Sequence, residues 1–258
     1  MAIDLRDKIV IITGASEGIG REASFLFAEE GASVALAARR KELLAQVLSG
    51  LKGGPEKHIS CPTDISKDEE VKALVSEVMK KYGRIDILVN NAAVSYVGKV
   101  KDMNLDRAEE ALDINLLGTI RITRHILPHM IRQRSGHIIN VSSIIGRRGV
   151  PYRSIYCASK FGMEGFMESL RAETAKHDIR VSMIRPPSVR TDFSKKVKPD
   201  SDVRHHALDN MGPIDVAKAI VGVAKRPRRD VNMGLLAKGF FFLNGAFPAL
   251  FDRIVREK

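Results

Sequence analysis

Tyr156 and Lys160 stand four positions apart, and residue types at that spacing can move a proton. On a helix they lie one turn apart on one face. A free phenol holds its proton until about pH 10, which makes it a poor partner at neutrality. A neighbouring ammonium ion lowers that value by charge proximity, so Lys160 is expected to bring Tyr156 down. Singly, the two are an amphipathic-helix tyrosine and a surface lysine.

A second constellation lies far upstream, in Thr13-Gly14-Ala15-Ser16-Glu17-Gly18-Ile19-Gly20. Glycine is wanted where a chain turns sharply, where backbone N–H groups must approach a phosphate, and where a helix packs closely on a strand. A helix N-terminus there offers unpaired N–H donors and a positive dipole end to a pyrophosphate. The spacing is GxxxGxG and not GxGxxG, and the same residues also suit an ordinary glycine-rich turn between strand and helix.

The elements that must position these residues follow from periodicity. Lys8 to Thr13 is a short β-branched run, and Arg21 to Glu30 has helical spacing before Gly31. The alternation continues with strands at Ser33–Ala38, His58–Cys61, Ile85–Asn90, His137–Val141 and Arg180–Ile184. Helices are expected at Lys41–Leu51, Ser66–Tyr82, about Asn104–Gln133, Ser154–Lys176 and Pro213–Ala224. Continuous apolar strands separated by amphipathic helices imply a parallel sheet buried on both faces. Right-handed crossovers make it doubly wound. The expected fold class is therefore α/β, a single-domain Rossmann-type parallel sheet of about seven strands spanning residues 1–258. Residues 192–212, charged and without period, are expected to form a substrate lid.

Composition narrows the function. The 258 residues carry 42 Lys+Arg against 31 Asp+Glu, a net charge of +11, and 44% are hydrophobic, which excludes a disordered chain. The two cysteines, Cys61 and Cys157, lie far apart and fit free thiols in a reducing compartment. The histidines show no ligand spacing with carboxylates or cysteines, so no metal is expected. Met1 to Lys8 has no apolar signal region and no run is long enough to span a bilayer, so a cytoplasmic protein is expected. Nucleic acid is not an expected partner, because the positive charge is neither clustered on one face nor joined to a recognition element.

The ordered motifs together resemble the short-chain dehydrogenase/reductase family over about residues 5–235. Asn90-Asn91-Ala92-Ala93 is similar to the family's NNAG, Tyr156-Cys157-Ala158-Ser159-Lys160 matches its YxxxK, and Ser143 lies 13 residues before Tyr156 as the family's serine does. Asn115 in Asp113-Ile114-Asn115 matches its active-site asparagine. The resemblance implies an oxidoreductase that reduces a carbonyl, or oxidises a secondary alcohol, by hydride transfer. It implies that Tyr156 gives the proton, Ser143 polarises the substrate oxygen, Lys160 also holds the nicotinamide ribose, and Asn115 holds a water that links Lys160 to solvent. Gly14, Ser16, Gly18, Ile19, Gly20, Asn91, Tyr156, Lys160, Pro186, Val189 and Thr191 are the implied cofactor contacts. Asp64 is an implied adenine contact, and equally suits a turn before Ser66; Thr191 equally suits a helix cap. Two departures stand out, Ala93 for the last glycine of NNAG and Pro187 for the glycine after Pro186.

NADP(H) is the preferred cofactor, with NAD(H) possible. The second strand ends Leu36-Ala37-Ala38-Arg39-Arg40 without a carboxylate, and Arg39 can fork onto a 2′-phosphate. Against this, Arg39 and Arg40 can be solvated charges opening a helix, and Glu17 sits where NADP-preferring relatives often carry a cation. Val94, Tyr96, Val97, Ile144 and Ile145, with Arg147, Arg148 and the Lys195-Lys196-Val197-Lys198 lid, suggest an apolar substrate pocket with a basic mouth, though the lysines equally suit a solvated loop surface. The resemblance also implies a homodimer, with Ile120, Leu127, Ile131, Met163, Phe166 and Leu170 as stripes on two helices. Residues 238–258 hold five of ten phenylalanines beside excess positive charge. They can pack on the sheet, line the pocket, join a subunit contact, or bind an anionic membrane surface peripherally. A non-catalytic NADP(H)-binding regulator on the same frame is the competing class.

Overall fold

The computed structural model describes residues 2–190 and 211–234, together with Ala249, Asp252 and Arg253. Thr191, nearly all of the expected lid, and the extension apart from those three residues lie outside them.

β1 (Ile9–Thr13) leads into α1 (Gly18–Glu29), followed by β2 (Ser33–Ala38), α2 (Lys41–Gly50), a short α3 (Gly54–Lys57), β3 (Ile59–Pro62), α4 (Asp68–Tyr82) and β4 (Ile87–Asn90). The second half runs α5 (Leu105–Leu112), a π-helical turn (Asp113–Gly118), α6 (Thr119–Gln133), β5 (Gly136–Val141), α7 (Ser154–Thr174), β6 (Ile179–Arg185), α8 (Pro213–Lys225) and β7 (Asp230–Asn232). Most boundaries fall within two residues of the expected ones. α1 begins a turn earlier than its apolar spacing suggests, because Gly18 and Gly20 themselves form the first helical turn. The expected long helix after Asn104 is interrupted by the π turn, which a hydrophobic period cannot register.

The strands form one parallel sheet in the order β3-β2-β1-β4-β5-β6-β7. The chain winds outward one way from β1 through β3, then returns to place β4 on the other side of β1. That reversal opens a crevice at the carboxyl ends of β1 and β4, the position where open α/β sheets bind ligands.

Strand alternation divides the core in two. Val10, Ile12, Val34, Leu36, Ile87 and Val89 face one layer, with Phe27 of α1, Leu44 of α2 and Ile220 of α8. Ile9, Ile11, Ala35 and Leu88 face the other, against Leu74 of α4, Ile126 of α6 and Met167 of α7. At about 25 cal/mol per Å² of apolar area buried, these two layers are the main favourable term holding the sheet between its helices. The expected second stripe for a partner subunit is partly absorbed by this packing: Met163 and Leu170 are buried, and Leu127, Ile131 and Phe166 lie against the core. Leu117 and Phe161, each 44% exposed, are the large apolar side chains left outward on that part of the surface.

Candidate active site

The glycine loop joins β1 to α1 at the reversal point. Gly14 (φ +67°) and Gly18 (φ +54°) adopt left-handed backbone that other residues disfavour. A Cβ on Gly14 would stand 2.9 Å from the Ala92 Cα, and one on Gly20 would stand 2.2 Å from the Gly14 carbonyl oxygen. The loop is thus a close-fitting backbone cradle, and the amides of Ile19 and Gly20 belong to the first turn of α1. Asn91 braces it: its Nδ2 donates to the carbonyls of Thr13 at 3.0 Å and Gly14 at 3.3 Å. Thr13 Oγ1 accepts from the Asn91 and Ala92 amides, both at 3.0 Å.

Ser16 is buried and its Oγ accepts from Arg40 Nη2 at 3.1 Å. Arg40 also pairs with Glu17 at 2.9 Å. The cation turned into the glycine loop is therefore Arg40, which the sequence offered only as a solvated charge, and it neutralises the carboxylate that spoke against a phosphate. Arg39 lies outward at the strand end, 3.9 Å from Glu110. Asp64 Oδ1 accepts from the Ser66 amide at 3.0 Å and the Ser66 hydroxyl at 2.7 Å, the turn that its sequence also suited. Burial raises its carboxyl, but these two bonds outweigh that and hold it below the usual range.

Three residues along the chain from Asn91, a second set of hydrogen bonds leads from Val94 to α7. Asn115, wholly buried in the π turn, accepts from the Val94 amide at 2.7 Å and donates to the Val94 carbonyl at 2.9 Å and to Ser159 Oγ at 3.1 Å. The side chain expected to hold a water is thus committed to fixing the loop after β4 against α7. Ser143 follows β5, and its Oγ accepts from the Ile145 amide at 3.4 Å. Pro186, just past β6, accepts from the Ile144 amide at 3.1 Å, and Val189 pairs with Met211.

Tyr156 and Lys160 share a face of α7 as expected, with Lys160 Nζ 5.7 Å from the Tyr156 ring centre. The electrostatics differ from the expectation. Burial pushes the Tyr156 phenol up to about 12, and the opposing cation is Arg153, not Lys160. The reason is where the ammonium goes: Nζ donates to the Val141 carbonyl at 3.0 Å. Lys160, 1% exposed, is itself brought down by burial to about 8. Arg153, a turn before Tyr156, donates to Ser95 Oγ at 2.8 Å and so ties α7 to the loop after β4. Its place one helical turn before the tyrosine was the signal available.

The expected substrate walls are only partly outward. Tyr96 and Val97 are buried, Tyr96 in a small cluster with Ala108 and Ala111. Arg147 reaches Glu164 and Arg148 pairs with Asp252, so these two cations of the expected basic mouth already face carboxylates, while Lys195, Lys196 and Lys198 lie outside the described residues. Among the described residues no three His, Cys, Asp or Glu gather as metal ligands, and no helix is long and apolar enough to cross a membrane.

A family profile described as short chain dehydrogenase matches residues 8–202. Dehydrogenase/reductase SDR family member 7B of Danio rerio is 33% identical over 267 residues, covering 99% of this chain and 86% of its own. A metagenomic short-chain oxidoreductase solved in complex with NADP is 30% identical, with a TM-score of 0.76 and coverage of 90% and 98% of the two chains. A short chain dehydrogenase/reductase from Burkholderia phymatum, solved in complex with NAD, has a TM-score of 0.87 over 96% of each chain. At 23% identity that last likeness is one of fold.

Proposed function

The chain belongs to the short-chain dehydrogenase/reductase family of oxidoreductases, and from that premise we propose that it reduces a carbonyl, or oxidises the secondary alcohol, of a lipophilic small molecule with NADP(H) in preference to NAD(H). The observation that carries this reading is that the segment after β4 ties the two ends of the site together, Asn91 holding the glycine loop and Val94 held by Asn115, which donates to Ser159 between Tyr156 and Lys160 on α7.

The loop suits a dinucleotide, since Gly14 and Gly18 turn the backbone through left-handed conformations at the sheet's reversal point and the amides of Ile19 and Gly20 lie in the first turn of α1, where a pyrophosphate finds N–H donors. Gly14, Ser16, Gly18, Ile19 and Gly20 would hold the pyrophosphate, Arg39 and Arg40 a 2′-phosphate, and Asp64 and Asn91 the adenine side and the loop itself. Pro186, Val189 and Thr191 would face the nicotinamide carboxamide, with Lys160 on its ribose. When bound, the nicotinamide supplies or accepts the hydride.

The chain's own residues handle the proton. Burial pushes the Tyr156 phenol up to about 12, so at neutral pH it holds the proton that carbonyl reduction requires but gives it up less readily than a free phenol, and its service as the acid depends on positive charge beside the phenolate. Arg153 is the cation that opposes burial at Tyr156, and Lys160, an ammonium ion below its value of about 8 and 5.7 Å from the ring centre, would be a second positive charge for a phenolate formed there. The Ser143 hydroxyl hydrogen is free to point at a substrate oxygen, because its oxygen serves as acceptor to Ile145. Asn115 keeps Val94 and α7 in register around them. The outward Leu117 and Phe161 favour a homodimer.

A panel of ketones and secondary alcohols followed by nicotinamide absorbance tests the reading. Turnover is expected with NADPH, and Tyr156→Phe should abolish nearly all of it while changing NADPH affinity by no more than a few-fold. Nucleotide binding without turnover of any compound would instead support the non-catalytic regulator.

A further inference from the structure

Tyr156, Lys160 and Glu164 succeed one another at intervals of four along α7 and stand in a column on one face. The third takes no part in the chemistry above, yet it is firmly held. Arg185, the last residue of β6 and 1% exposed, donates from Nε to Glu164 Oε1 at 2.8 Å and from Nη2 to Oε2. The same guanidinium reaches Asp230 Oδ1 at 2.7 Å and Asn232 Oδ1 at 3.2 Å on β7. Arg147, beyond Ser143, approaches Glu164 Oε2 at 3.5 Å. Gly146 closes the gap: a Cβ there would lie 3.3 Å from Lys160 Cβ and 3.4 Å from Glu164 Oε1. Buried ion pairs of this kind seldom stabilise more than apolar packing of equal volume, so its place beneath the proton-handling pair points to another role.

We propose that Glu164, fixed by Arg185, is a positioning residue that keeps Lys160 an ammonium ion and anchors α7 to the end of β6. The importance of that ammonium rests on the functional reading above; the coupling itself does not. Among the described residues, the charged groups facing Glu164 are Arg185 from β6, Arg147 from the segment after β5, and Lys160 from its own helix, with Asp230 of β7 behind Arg185. Lys160 faces the Val141 carbonyl from β5, with Tyr156 and Glu164 on α7. Burial pulls its ammonium down and the Glu164 carboxylate opposes that pull. Taking the carboxylate away leaves burial alone and exposes Lys160 to the unpaired guanidinium, so its proton leaves at lower pH. A phenolate formed at Tyr156 then keeps Arg153 but loses the second cation beside it near neutrality.

The test is the titration of Lys160 in the full chain by lysine Cε and Nζ magnetic resonance, with its signal assigned by loss in Lys160→Met. Glu164→Gln is expected to lower the midpoint by about one pH unit. Because Glu164→Gln strands a buried guanidinium and can fail to fold, Glu164→Gln with Arg185→Met is measured beside it. That pair removes both charges and should shift the midpoint in the same direction by less, since the carboxylate is the nearer of the two. A midpoint equal to that of the unaltered chain, in whichever variant folds, overturns the proposal. The titration needs neither substrate nor nicotinamide. A chain that titrates as expected but turns over nothing therefore refutes the functional reading and leaves this one standing.

Discussion

At the scale of single residues, the proposed preference for NADP(H) rests on two adjacent arginines that the fold sends to different places. Arg40 is drawn into the glycine loop by Ser16 and Glu17, while Arg39 stays outward near Glu110. A 2′-phosphate offers each a charge-assisted contact of roughly 1.5 to 3 kcal/mol, and a 2′-hydroxyl offers neither. Arg39→Ala and Arg40→Ala should therefore each weaken NADPH binding by about tenfold to a hundredfold and NADH binding by less than about threefold, as read by nucleotide fluorescence titration. Equal losses for the two nucleotides in Arg40→Ala would make it a brace for the loop and nothing more. The same contrast explains why the sequence pointed to Arg39: distance along the chain locates the strand end, but the direction of a side chain depends on partners supplied by another segment.

Among the elements, β5 carries both the approach to Ser143 and a buried histidine at its opposite end. His137 is 4% exposed, and its Nε2 lies 2.8 Å from Ser182 Oγ on β6. Burial brings it down to about 3, so the folded chain keeps the ring neutral where the unfolded chain, titrating near 6.5, takes up a proton. The unfolded state then binds more protons throughout that interval, and stability rises with pH across it. Between pH 7 and pH 5 this one ring should remove about 2 kcal/mol of stability. Urea unfolding of the intact chain and of His137→Gln at both pH values measures it, and parallel losses would mean that other groups carry the acid sensitivity. His58, also held down by burial, is common to both proteins and cancels in the difference. The π turn that sets Asn115 has no comparable mark in the sequence, because its register is imposed by Val94 and Ser159 from two other segments.

On the scale of the whole molecule, the surface between the π turn and α7 is where a second copy would sit. Leu116 of the π turn already crowds Gly162 of α7, where a Cβ would lie 2.8 Å from Leu116 Cδ2. Their chain neighbours Leu117 and Phe161 are each left outward. Burying them against their copies removes apolar area from water on both subunits at once. Light scattering at micromolar protein should therefore give twice the mass of the chain, and Leu117→Glu with Phe161→Glu should give the single mass. A monomer before substitution would leave the patch without its proposed occupant.

The sequence by itself determined the sheet and its cradle. β-branched runs, helical spacing and three glycines are local signals, and the steric demands of a backbone turn are met or failed by the residues within it. The positions of Tyr156, Lys160, Ser143 and Asn115 were legible too, though through family motifs and not through any period. What the tertiary structure alone decided was electrostatic. Whether Lys160 lowers Tyr156, whether Glu17 repels a phosphate and whether Arg147 and Arg148 stand open to an anion all depend on a third group: the Val141 carbonyl, Arg40, and the carboxylates of Glu164 and Asp252. Those partners lie tens to more than a hundred residues away for Glu17, Lys160 and Arg148, and a charge's effect depends on burial and on distance through space, neither of which is written in the order of the chain.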